Sequence, residues 1–120
     1  MGGLVTLEGT IVATNKAPKG PDCSGIPTSK GHNLIGKAAG CPFTKKTGDR
    51  ANVKPLLGTL AYNGGPTQTI GIKTTSPAHN AVPTSACPLH SDQRGVRRPQ
   101  GPRCDIGAFE LKPGETVPSA

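Results

Sequence analysis

Four arginines crowd the stretch DQRGVRRPQGPRCDIGAFE, residues 92–110. They are Arg94, Arg97, Arg98 and Arg103. A guanidinium fork matches the geometry of carboxylate, phosphate and sulfate groups, so these side chains are candidate ligands for an anionic glycan or a phosphate. The alternative is that they pair with the neighbouring carboxylates, which are Asp92, Asp105 and Glu110. We favour the pairing, although four arginines against three carboxylates leave positive charge over for binding.

Catalysis would need carboxylates or histidines that converge in space. Glycoside hydrolysis by paired carboxylates requires two of them across a cleft, and nothing in the spacing brings any two together. His32, His79 and His90 lie in three different loops. His90 directly precedes Ser91 and Asp92, but adjacency in sequence is not triad geometry. The sequence therefore predicts no catalytic residue, no metal site and no cofactor.

The glycine pair in NGGPTQT is a second candidate for anion binding. A phosphate-binding loop needs a following helix, whereas PTQTIGI has the alternation of a strand. Gly64 and Gly65 permit positive φ and Asn63 tolerates it, so the segment predicts a turn between two strands.

The four cysteines, Cys23, Cys41, Cys87 and Cys104, favour disulfide bonds over zinc. No C-x-x-C pair occurs, and zinc sites usually gather cysteines in close pairs. A small chain with little core gains most from disulfides, which form in oxidising compartments. Of the three possible connectivities we predict the sequential one, Cys23 with Cys41 and Cys87 with Cys104.

The composition limits both the core and the partners. The 120 residues suit one domain, which we place at residues 1–111, with a flexible tail or linker at 112–120. Hydrophobic residues form 32% of the chain, with no Trp, one Tyr and two Phe. The net charge of +7 makes a nucleic acid a candidate partner. Base stacking needs aromatic side chains, which are scarce here, so the sequence disfavours this partner. No secretory signal or membrane span is expected within the chain.

Short strands separated by long loops are predicted along the chain. Residues 4–15 predict two short strands, residues 33–36 another, and residues 53–73 two strands around the NGGP turn. A final strand is predicted at 104–111. The loop between residues 16 and 33 is rich in Gly and Pro. This spacing fits a solenoid better than a sandwich, although no clean internal repeat is present.

Several motifs resemble one family in their order along the chain. They are LEGTIVATN, DCSG, GHNLIG, GDRANVKPLLGTLAYNGGPTQT, SPAHNAV and DQRGVRRPQGPRCDIGAFE. They resemble the choice-of-anchor Q domain, the C-terminal region of bacterial surface proteins with a right-handed parallel β-helix. The resemblance spans residues 4–111. It implies an exported protein, located outside the cell or at its surface, with a structural or adhesive role and no settled activity.

Together these observations predict an all-β, loop-rich and disulfide-stapled fold, the final rungs and closure of a right-handed parallel β-helix. The predicted function is a non-catalytic structural cap or surface-interaction module, whose partners are upstream rungs of a longer chain or a second copy. There are two alternatives. One is a carbohydrate-active fragment, such as a polysaccharide lyase or glycosidase, and the other is an anionic-glycan binder that uses the arginines. Whether the chain is an enzyme stays open, with a non-enzyme favoured.

Overall fold

A computed structural model of the protein describes residues 4–118, so the first three residues of the predicted domain and the last two of the predicted tail lie outside it. Five two-residue strands come first, all paired in parallel. β1 (Thr6–Leu7) pairs with β3 (Thr28–Ser29), and β2 (Ile11–Val12), β4 (Leu34–Ile35) and β5 (Arg50–Ala51) form a sheet in that order. A long loop separates β2 from β3 and another separates β4 from β5, so the chain returns to the same direction before it pairs again.

An antiparallel hairpin follows the parallel strands. β6 (Leu57–Ala61) pairs with β7 (Thr69–Ile72), and a register shift lies between Leu57 and Leu60. The turn predicted at NGGP joins them. Gly65 has φ of +80°, and a Cβ at this position would lie 2.9 Å from Cα of Arg94, so glycine is needed both for the turn and for its contact with the arginine loop.

The prediction of a parallel β-helix is wrong. The paired strands of residues 4–118 form three separate small sheets of two, three and two strands, and no closed or solenoid sheet joins them. The last of these sheets is antiparallel, and the strand predicted at 104–111 is reduced to a single bridge between Cys104 and Val82. The strands stay short because positive-φ positions such as Gly9 and Thr14 follow them closely and turn the chain.

The described residues contain no α-helix, and a single 3-10 turn, Thr84–Ala86, follows the hairpin. The prediction of an all-strand and loop protein is therefore confirmed at this coarser level. No helix in residues 4–118 has the length and apolar character needed to cross a membrane.

One small core holds the hairpin against the C-terminal loop. Its buried members include Leu34, Ile72, Val82, Ile106 and Phe109. Val117 packs on this cluster, and the backbone carbonyl of Pro118 accepts a hydrogen bond from Thr59 N at 3.1 Å. The described part of the predicted tail thus contacts the body of the protein.

Both predicted disulfides are present. Cys23 is bonded to Cys41, and Cys87 is bonded to Cys104. The first joins the loop after β2 to the loop after β4, and the second ties the segment after the 3-10 turn to the core. The sequential pairing is confirmed, and no free cysteine remains in the described chain.

Candidate functional site

A broad groove of about 1210 Å³ opens along one side of strand β2. Its apolar lining includes Ile11 and Ala13, Leu57 and Ile70 of the hairpin, and Phe109. Polar side chains line it as well: His90, Asp92, Arg98 and Asp105. Ile70 is 46% exposed and Leu89, on the rim, is 62% exposed. Large apolar side chains left in contact with water around one concave surface are typical of a binding site.

The backbone of β2 pairs with β4 on one side, and just before β2 the carbonyl of Gly9 accepts a hydrogen bond from Gly107 N at 2.9 Å. Thr10 O accepts a hydrogen bond from Leu34 N, and Val12 O accepts one from Gly36 N, so these residues point their carbonyls toward β4. Successive residues of a strand alternate in the direction of their backbone polar groups, and Ile11 therefore directs its N–H and C=O away from β4. Since β2 is the first strand of its sheet, this edge can accept another strand.

Asp92, which also lines the groove, organises the arginine loop. Its two carboxylate oxygens accept the backbone N–H groups of Arg94 at 2.8 Å, Val96 at 2.9 Å and Glu110 at 2.8 Å, and Nε of Arg94 at 3.2 Å. The side chain has no exposed surface. Burial raises the pKa of Asp92, but the three N–H groups and the Arg94 charge outweigh it and hold the pKa below its ordinary value.

Arg94 is fully engaged inside the protein. Its guanidinium donates to Glu115 at 2.6 Å and to the carbonyls of Asn63 and Glu110, and it lies 3.7 Å from the ring centroid of Phe109. The side chain is 2% exposed. This arginine joins the NGGP turn, the C-terminal segment and the core.

A second buried group surrounds Glu110. Arg98 donates to Glu110 at 2.9 Å and to the carbonyls of Asp105 and Gly107. Asp105 accepts the N–H groups of Asn80 and Leu111, and its own N–H donates to Glu110. Burial raises the pKa of Glu110, and the negative charge of Asp105 adds to the rise.

The four predicted arginines thus divide into two pairs. Arg94 and Arg98 neutralise buried carboxylates, as the favoured hypothesis expected. Arg97 and Arg103 are exposed and keep their charge at the surface. Any anion bound at this loop would meet the second pair.

The structure brings together carboxylates that the spacing did not connect, but it buries them. Asp105 and Glu110 are adjacent, and His79 Nδ1 lies 3.2 Å from Asp105 Oδ1 without hydrogen-bond geometry. Asp105 and Glu110 are 3% and 1% exposed, and their oxygens are engaged by backbone N–H groups and by Arg98, although Asp105 borders the groove. Within residues 4–118 no three His, Cys, Asp or Glu side chains form a group that could hold a metal ion.

Comparison of the chain with family models, with curated proteins and with solved structures found no match. Sequence reasoning missed the groove. It predicted that arginines pair with the neighbouring carboxylates, but not that the pairs are buried. The groove has no signal in the sequence, since its lining residues come from several segments that are far apart along the chain.

Proposed function

We propose that the protein is a non-catalytic interaction module that binds an extended, apolar polypeptide strand in the groove beside β2. The observation that carries this proposal is the coincidence of an unpaired strand edge at Ile11 with exposed apolar walls. An added strand would satisfy the N–H and C=O of Ile11 and cover Ile70 and Leu89. Backbone pairing supplies affinity, and the apolar walls select alternate side chains.

A second copy of this chain is the source of the strand that we favour. Residues 4–12, LVTLEGTIV, hold two short strands with a bend at Gly9, and the apolar side chains of Leu4 and Val5 are 101% and 57% exposed. Two copies related by a twofold axis would place the same edge on both sides of the interface. The net charge of +7 on each copy opposes this association at low salt, and added salt relieves it.

The setting that we propose is outside the cell or at its surface. The two disulfides support an oxidising compartment. The motifs shared with the choice-of-anchor Q domain support a bacterial surface protein with a structural or adhesive role. A carbohydrate-active fragment is less well supported, because the adjacent carboxylates Asp105 and Glu110 are buried.

A labelled peptide with the sequence of residues 4–15, LVTLEGTIVATN, tests the groove directly. Fluorescence anisotropy should show saturable binding to the wild-type protein, weakened about tenfold by Ile70→Lys, since that side chain lines the groove and is half-exposed. Ile26→Lys is the matched control, because Ile26 is 73% exposed, lies outside the groove and receives the same charge. A peptide with proline in place of Ile11 should bind less well, since it lacks the N–H that strand pairing requires.

The proposal is wrong if no saturable binding occurs or if Ile70→Lys binds as well as Ile26→Lys. Sedimentation velocity at low and moderate salt tests the source of the strand. A salt-promoted dimer that Ile70→Lys abolishes supports a second copy. If the protein binds the peptide but stays monomeric at both salt concentrations, a second copy is not the source of the strand, and the strand comes from another protein.

A further inference from the structure

The protein separates its charges between interior and surface. Every Lys, Arg, Asp and Glu of the chain lies within the described residues, and eleven of the fourteen basic side chains are exposed. Of the seven carboxylates, Glu8 alone is exposed. The surface is therefore far more basic than the net charge of +7 indicates.

The cause is that the other carboxylates serve as acceptors for backbone N–H groups. Asp22 accepts Asn15 N at 3.0 Å and Lys37 N at 2.7 Å, and Asp49 accepts Asn33 N at 2.9 Å and Lys46 N at 2.8 Å. The three carboxylates of the arginine loop and Glu115 do the same. A carboxylate held in this way is withdrawn from pairing with surface lysines.

Three of the exposed lysines follow the strands of the three-stranded sheet, and we call them the lysine edge: Lys16, Lys37 and Lys54. In a parallel sheet the segments that follow neighbouring strands leave from the same edge, with strands about 4.8 Å apart. Lys16 follows β2, Lys37 follows β4 and Lys54 follows β5, in the order in which these strands lie.

Hydrogen bonds fix this placement. One carboxylate, that of Asp22, bridges the backbone of Asn15 and Lys37, and Asn52 Oδ1 accepts the N–H of Ala38 at 2.9 Å. The segments that carry Lys16, Lys37 and Lys54 are thus tied side by side.

We propose that the lysine edge binds an acidic polysaccharide, whose carboxylate or sulfate groups recur along a linear chain. Lysines on three segments that are tied side by side suit a repeated charge better than a single small anion. A nucleic acid would also supply repeated charge. Base stacking is poorly served, however, because Tyr62 is the one aromatic side chain classed as exposed among residues 4–118.

Two triple variants test the proposal at equal net charge. The first variant changes Lys16, Lys37 and Lys54 together to Gln and so removes the lysine edge. The second, a control, changes Lys45, Lys46 and Lys112 together to Gln and so removes three exposed lysines elsewhere. Binding is measured to polygalacturonate and to dextran sulfate, with neutral dextran and a single-stranded thymidine oligonucleotide as further probes, at about 20 and 150 mM salt.

We expect wild-type binding to one or both acidic polysaccharides and none to neutral dextran. The lysine-edge triple should lose about tenfold in affinity and the control triple about twofold or less. Polygalacturonate and dextran sulfate distinguish carboxylate from sulfate recognition. Equal losses in the two triples would reduce the effect to net charge and overturn the site. Tighter binding to the oligonucleotide than to either polysaccharide would assign the edge to nucleic acid instead.

Discussion

Asp92→Ala should be among the most destabilising single substitutions in the protein. The carboxylate accepts three backbone N–H groups and the Nε of Arg94, and it is wholly shielded from solvent. Alanine offers no acceptor. The loop from Asp92 to Val96 and the backbone of Glu110 would then lose the group that holds them together.

The size of the effect follows from what is left behind. A buried donor without a partner costs about 1–3 kcal/mol, and breaking a buried ion pair from one side costs about 3–5 kcal/mol. Two circumstances reduce the total, since Glu115 still neutralises Arg94 and water can enter beside the exposed Gln93 and Gly95. We therefore expect a loss of about 3–5 kcal/mol, which for a chain of this size lowers Tm by about 12–20 °C.

Urea unfolding of the oxidised protein near neutral pH, followed by circular dichroism, measures the loss. Asp92→Asn keeps one carbonyl oxygen for the N–H groups of Arg94 and Val96, and should cost about half as much. Glu8→Ala is the matched control, because Glu8 is exposed, and it should change stability by less than about 0.5 kcal/mol. A loss below about 1 kcal/mol for Asp92→Ala would refute the view that this carboxylate organises the loop.

Two further predictions concern pH and the disulfides. The pKa of Asp92 lies below its ordinary value of 3.8, so its contribution to stability is present above that pH and is lost as the pH falls through the folded pKa. The pKa of Glu110 is raised above 4.5, so its contribution to stability is present below that pH and is lost as the pH rises through the folded pKa. Thermal scans from about pH 2 to pH 8 should therefore show a smaller fall of Tm with rising pH for Glu110→Gln than for the wild type. Replacing the Cys87–Cys104 pair by alanines should lower the free energy of unfolding more than replacing the Cys23–Cys41 pair, because Cys104 belongs to the core. Loop closure alone predicts equal losses of about 3 kcal/mol, since the sequence separations are 17 and 18. Equal losses in urea unfolding would contradict the prediction.

Local features of the fold could be predicted from the sequence where short-range chemistry decides them. The strands near residues 6, 11 and 34, the hairpin around NGGP and the disulfide pairing all follow from β-branched runs, turn residues and loop closure. β3 and β5 were missed, since Thr28–Ser29 lies in a loop rich in Gly and Pro and Arg50–Ala51 carries no alternation. Two-residue strands of this kind exist through their tertiary partners and leave no periodic signal.

The architecture and the site depend on tertiary contacts, which local sequence patterns do not reveal. Long loops between short strands indicated a solenoid, but the same spacing also permits three small sheets held by a core and two disulfides. The arginines show a similar limit. Composition correctly indicated that some would pair with neighbouring carboxylates, but only geometry shows that Arg94 and Arg98 are engaged while Arg97 and Arg103 face solvent.

The use of carboxylates inside this protein has a consequence for both proposed surfaces. A chain with so little apolar side-chain material holds its loops by directing acidic groups at backbone N–H groups. Among residues 4–118, no lysine forms a salt bridge. The same device that stabilises the loops therefore makes the surface basic. Two copies that meet at the β2 edge would repel each other through that surface. An acidic polysaccharide on the lysine edge would lower the repulsion, so the two binding events should favour each other even though they use different residues.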